Sequence, residues 1–105
     1  MSKVRLATAA DVPLDSLHRV DTDELAICLV RTGDGNFYCI QDQCTHENAS
    51  LSDGYLTGTE VECPLHSSSF DVITGSVSGL PAQIPLRTFP VDIEDGDVFA
   101  EIETS

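Results

Sequence analysis

Two short stretches, Cys44-Thr45-His46 and Cys63-Pro64-Leu65-His66, constrain this chain more than any other feature. Each brings one thiol and one imidazole. With 16 residues between His46 and Cys63, the two pairs can sit on separate loops that close over a single inorganic centre. Four soft or borderline donors ordered Cys-x-His and Cys-x2-His suit either a tetrahedral zinc or a two-iron cluster. The order bears on the choice. Zinc modules commonly open a ligand pair with two residues of one kind. Here each loop offers one of each, which suits a [2Fe-2S] cluster with both cysteines on one iron and both histidines on the other.

The rest of the composition narrows the class. A chain of 105 residues, 41% of them hydrophobic, is predicted to be one domain, 1–105, with a modest core and no need to oligomerise. A net charge of −13 with only five Lys and Arg excludes nucleic acid and anionic membrane as partners, because phosphate binding is driven by cations. A basic protein surface is the partner that such a charge favours. No apolar run approaches the roughly 20 residues of a membrane span, and Met1 to Leu6 does not read as a signal peptide, so a cytoplasmic protein is expected. Four cysteines in that setting argue for metal or redox chemistry over a disulfide framework.

Taken in order, the chain reads as strands joined by turns. Lys3 to Ala7 is a first strand, Asp11-Val12-Pro13-Leu14 a single turn capped by Asp11, and Leu17 to Val20 a second strand. Glu24 to Arg31 and Asn36 to Ile40 form a hairpin across Thr32-Gly33-Asp34-Gly35. That hairpin delivers Cys44. Ser52-Asp53-Gly54 is a turn, residues 55–62 a small hairpin around Gly58, and Gly79-Leu80-Pro81-Ala82 a third loop. Leu86 to Ile93 and Val98 to Ile102 close the chain as a hairpin, with Arg87, Phe89, Val91 and Ile93 on one face. No segment carries a helical period. The fold class is all-β, with a base of 1–41 and 83–105 and an inserted binding subdomain of 42–82.

Beyond the ligand pairs, Leu51-Ser52-Asp53-Gly54, Phe70-Asp71, Thr74-Gly75 and Leu80-Pro81-Ala82 complete a pattern that resembles the Rieske-type ferredoxins, in particular those of bacterial aromatic-ring dioxygenase systems. The resemblance implies an antiparallel β-sandwich base and a [2Fe-2S] cluster, with Cys44 and Cys63 on the buried iron and His46 and His66 on the iron nearer solvent. Replacing two thiolates by neutral imidazoles removes two negative charges, so an added electron is more easily accepted. With both irons fully ligated, the resemblance implies an electron carrier and not an enzyme. Its partners would be a flavin-containing reductase and a terminal oxygenase. A small subunit of a nitrite-reductase-like complex and a structural zinc module are the alternatives.

Rieske proteins of respiratory bc complexes also resemble the chain, but they carry an extra cysteine in each ligand loop, joined in a disulfide. Here Leu65 occupies that place in the second loop, and no cysteine lies between His46 and Cys63. Those proteins further place a serine and a tyrosine hydroxyl near the cluster sulfurs; the matching positions are Ser68 and Phe70. One donor of two implies a potential near the low end of the range, about −150 mV rather than about +300 mV.

Other residues are given quieter roles. His18 reads as a surface residue, and Tyr38 and Tyr55 as packing residues. Cys28 and Cys39 read as small buried hydrophobes; a turn centred between Gly33 and Asp34 would set them opposite each other. Asp42, Glu47, Asp53 and Asp71 are expected to form an acidic docking rim beside the ligand loops.

Overall fold

Ala26-Ile27-Cys28-Leu29-Val30 is an unbroken apolar run, and the fold is layered around it. In the computed structural model, which describes residues 2–23, 25–45, 48–65, 68–80 and 82–102, this run lies in a strand whose residues Ile27 to Val30 are all buried. Successive side chains of a strand point to opposite faces, so a strand buried at four consecutive positions must be covered on both. That strand, β3 (Ala26–Arg31), pairs with β2 (Ser16–Asp21) and β4 (Phe37–Gln41). With β9 (Thr88–Phe89) they make a four-stranded antiparallel sheet in the order β2-β3-β4-β9.

One face of this sheet carries Ile27, Leu29, Cys39 and Phe89. They share a core with Leu6, Val98, Ala100 and Ile102. Those four residues come from a second sheet, of order β1-β11-β10, in which β1 is Ser2–Thr8, β10 is Val91–Glu94 and β11 is Asp97–Ile102. The opposite face carries Cys28, Val30 and Ile40, which share a second core with Cys44, Leu51, Val61, Cys63, Phe70, Val72, Ala82 and Leu86. Over that core lies a meander of β5 (Tyr55–Thr57), β6 (Glu60–Glu62), β7 (Ser69–Asp71) and β8 (Val77–Gly79). The chain therefore forms a sandwich whose shared sheet also floors the segment holding the two cysteine loops. The all-β antiparallel expectation is met.

Several expectations need correction. The β3–β4 turn spans Thr32 to Asn36, because the Asp34 carboxylate accepts the Thr32 hydroxyl and, at 3.2 Å, the Asn36 N–H. The Thr32 hydroxyl, followed by the Asn36 amide, holds the Asp34 carboxyl below its usual value. This turn pairs Arg31 with Phe37, so Cys28 faces Ile40 and Cys39 faces Leu29. A register change of one residue exchanges the faces of a strand, and the two sulfurs end in different cores.

Near the N-terminus, the single turn occupies Ala9–Asp11 and precedes Val12, with no side-chain cap. Leu86 to Ile93 is not one strand. Pro90, with no N–H to give, interrupts it, and the chain passes from the shared sheet at β9 to the outer sheet at β10. Of the four residues expected on one face, Phe89 is buried and Val91 partly buried, whereas Arg87 and Ile93 are exposed. Tyr38 packs against the core under the loops, but Tyr55 is exposed. Among the described residues no helix is long and apolar enough to cross a membrane.

Candidate metal centre

The two cysteines of the ligand pairs open loops of the same construction. Gln43 bridges Ser50, and inside that bridge the Cys44 N–H donates to the Ala49 carbonyl at 3.0 Å. Glu62 pairs with Ser69, and inside that pair the Cys63 N–H donates to the Ser68 carbonyl at 2.7 Å. In each loop the cysteine amide is satisfied by the carbonyl five residues on. Both side chains are buried in the same core, and none of the four cysteines is in a disulfide.

The loops are tied to their surroundings at several points. The Thr45 hydroxyl donates to the Ile84 carbonyl at 2.6 Å, linking the first loop to the segment before β9. Ser68 is fully buried, and its Oγ accepts the Ala82 N–H at 3.0 Å, linking the second loop to the same segment. Phe70, the counterpart of the missing tyrosine, fills the core as a wholly buried ring. Gly54 makes room for the second loop. A Cβ there would lie 2.0 Å from the Glu62 carbonyl oxygen, and such backbone contact allows no substituent.

His46 and His66 lie outside the described residues, as does Glu47. Among the described residues no three His, Cys, Asp or Glu side chains come together as a metal site. Of the four candidate ligands, the described residues include the two thiols.

The expected acidic rim is not one structure. Asp53 is exposed, whereas Asp71 is half-buried and accepts the Ile73 N–H at 2.8 Å. Asp42 is only 1% exposed. Its Oδ1 accepts the Ser52 N–H at 3.0 Å, and its Oδ2 lies 3.5 Å from the Arg19 guanidinium. In the second loop and the segment bonded to both loops, three large aliphatic side chains are exposed instead. Leu65, Leu80 and Ile84 are 47%, 76% and 62% exposed, one from the second loop and two from the segment that binds both loops. Sequence reasoning passed over them, although large aliphatic residues in polar loops were the available signal.

The remaining candidates are not brought onto the two loops, although Cys28 shares the core beneath them. His18 is half-buried on β2, its Nε2 3.1 Å from the Ser16 hydroxyl. Burial, with the Asp42 charge adding to it, pushes the Cys28 thiol well up, and burial pushes Cys39 up to about 12. Thiols held protonated in this way are poor nucleophiles and poor ligands.

A pair of buried cysteines opening equal loops over one dry core fits a group that takes two thiolates on its protein-facing side. Comparison with known proteins decides the group. Residues 2–90 match the family described as the Rieske [2Fe-2S] domain. The chain belongs to the Rieske [2Fe-2S] domain family.

This Rieske chain is 46% identical, over 97% of its length and 95% of the relative's, to the 3-phenylpropionate/cinnamic acid dioxygenase ferredoxin subunit of Escherichia coli strain K12. Among solved structures it is similar to the Sphingomonas yanoikuyae B1 ferredoxin, with 40% identity, a TM-score of 0.91, and coverage of 97% of this chain and 100% of that one. It also matches a chain in the complex of reduced oxygenase and oxidized ferredoxin in carbazole 1,9a-dioxygenase. That match has 35% identity, a TM-score of 0.92, and coverage of 98% and 95%. The Rieske domain here is an electron carrier of the ferredoxin type, and its cofactor is a [2Fe-2S] cluster.

Proposed function

We propose that Cys44, His46, Cys63 and His66 hold the [2Fe-2S] cluster, and that the chain carries single electrons from a flavin-containing ferredoxin reductase to the terminal oxygenase of an aromatic-ring dioxygenase system. The observation that carries the ligand reading is the pair of equal loops, each opened by a buried cysteine whose amide is closed on the carbonyl five residues on. In sequence, the histidine follows the cysteine at the second position in the first pair and at the third in the second. The cluster supplies reversible uptake of one electron at a fixed site.

What the protein adds is insulation on one side and access on the other. Leu51, Val61, Phe70, Val72 and Ala82 keep water from the thiol side. Leu65, Leu80 and Ile84 offer a partner an apolar contact beside the loop ends, while the net charge of −13 steers the approach of a basic docking site. Because a carrier must leave as readily as it binds, the contact is expected to bury less than about 1,200 Å² in total. A monomer in the cytoplasm suits this traffic, and dioxygenase ferredoxins at 35 to 46% identity favour it over the nitrite-reductase-subunit reading.

The test is direct. Purified protein is expected to be reddish brown, with equal amounts of iron and acid-labile sulfide, and to relay electrons from a reduced flavoprotein reductase to a dioxygenase oxygenase component in a reconstituted assay. A colourless protein containing zinc would sink the cluster reading. A coloured protein that stays stoichiometrically bound to a large reductase would point to the subunit role.

A further inference from the structure

Asp42 is the one carboxylate among the described residues that is fully buried, and every hydrogen-bonding part of it is engaged. Its N–H donates to the Ala26 carbonyl at 3.2 Å and its carbonyl accepts the Leu51 N–H at 2.7 Å. Oδ1 takes the Ser52 N–H. Oδ2 faces Arg19 at 3.5 Å, from a guanidinium that is half exposed. Arg19 also donates to the Ser50 hydroxyl at 2.9 Å and to the Asp21 carboxylate at 3.0 Å, and the charge of Asp53 acts on it as well. This residue therefore spans from β2 to the closing strand of the first cysteine loop. A buried carboxylate two positions before Cys44, with a single partly exposed cation as its counterion, is costly unless it serves a purpose.

We propose that the Arg19–Asp42 pair sets the reduction potential of the centre, with the buried Asp42 charge lowering it and Arg19 limiting how far it falls. The proposal rests on the ligand reading above. A fixed negative charge in a weakly polarisable interior opposes the arrival of an electron, and it acts more strongly there than a surface charge would. Asp42 sits two positions before Cys44, and its carbonyl holds Leu51, a member of the core that contains Cys44 and Cys63. In that same core burial pushes the Cys28 thiol up, and the Asp42 charge adds to the push. Neither residue is a ligand; both position charge beside the centre.

The two partners predict shifts of opposite sign, which loosening of the loop alone would not produce. In Asp42→Asn the amide oxygen can still accept the Ser52 N–H, so the loop is kept while the charge is lost. Protein-film voltammetry of the cluster-loaded protein is expected to show a higher potential. At a fixed potential the reduced-to-oxidised ratio should rise roughly tenfold, which for a one-electron couple is about 59 mV. Arg19→Gln, at a half-exposed position where glutamine keeps a donor towards Ser50 and Asp42, is expected to move the potential downwards by a several-fold change in the same ratio.

Unchanged potentials, or shifts in the same direction, would overturn the proposal. If Asp42→Asn does not load, Arg19→Gln alone decides: a fall supports the pair, and no fall refutes it. Visible spectra that match wild type in the variants show the ligand set to be intact, so a missing shift counts against the charge pair and not against the ligands.

Discussion

The outer sandwich and the meander over the cysteine loops are both antiparallel, yet they differ in how they stay folded. In the sandwich, β1 and β11 run for seven and six residues, and Leu6, Ile27, Leu29, Val98, Ala100 and Ile102 meet across two sheets. The meander has strands of three residues each. Its own contribution to the core is little more than Val61 and Phe70, and two of the residues packed beneath it are the loop cysteines. Three-residue strands with one thin apolar face do not stand alone in water. A sandwich can be stable from its core, whereas the loop region leans on the floor of the shared sheet, and bonds to the cluster are expected to add to its stability. The part of the molecule that does the chemistry is thus the part expected to depend on it for structure.

The comparison breaks most severely at the ligands. Cys44→Ser, Cys63→Ser, His46→Ala and His66→Ala are each expected to abolish the visible absorption. Amide exchange should rise towards unprotected rates across 42–82 while β3 and β11 stay protected. Uniform protection after ligand loss would show the loops to be self-sufficient. As the matched control, Cys28→Ser and Cys39→Ser should keep the visible spectrum, each costing about 1–3 kcal/mol for a buried hydroxyl. Loss of colour in a folded Cys28 or Cys39 variant would overturn the ligand assignment.

A truncation in each core sharpens the contrast. Phe70→Ala should cost about 3–5 kcal/mol and Leu29→Ala about 2–5 kcal/mol, so chemical denaturation alone will not separate them. Colour should. In the Phe70 variant the absorption is expected to bleach before far-ultraviolet ellipticity is lost, and in the Leu29 variant the two should disappear together.

Smaller effects concern function. Electron transfer to the oxygenase is expected to slow several-fold between low and physiological ionic strength, as screening removes the steering by acidic residues. In stopped-flow traces, a rate indifferent to salt would reduce the charge to a solubility feature and leave docking to Leu65, Leu80 and Ile84. The smallest change is expected for Ser68→Ala. Its Oγ accepts from the Ala82 amide, which leaves its proton to donate elsewhere. A slight fall from the potential expected at about −150 mV would show that the proton reaches a sulfur. No change would confine the hydroxyl to joining the second loop to Ala82.

Much of this was legible in the order of residues. The donor chemistry of Cys44, His46, Cys63 and His66 is local, and a cysteine and a histidine two or three positions apart keep their meaning wherever the loop sits. Turn residues such as Gly54 and Gly58 likewise announced the breaks between strands, because backbone freedom is a property of the residue itself. The run Ala26 to Val30 likewise carries its own message, since five apolar residues without alternation signal a strand covered on both faces.

Other features depended on contacts distant in sequence. An aspartate before a cysteine reads as surface, because carboxylates are rarely buried. It became interior only when Arg19 and the Ser52 amide, brought from two other segments, satisfied it. Whether Cys28 and Cys39 shared a face hung on a single residue of turn length, which the Asp34 side chain settled. Pro90 marked an interruption, but only the placement of β4 on one side and β11 on the other turned that interruption into a crossing between sheets. Donor chemistry and strand content follow from residue chemistry and short-range geometry. Burial of charge, register and sheet membership follow from which distant groups arrive to complete a hydrogen bond or exclude water.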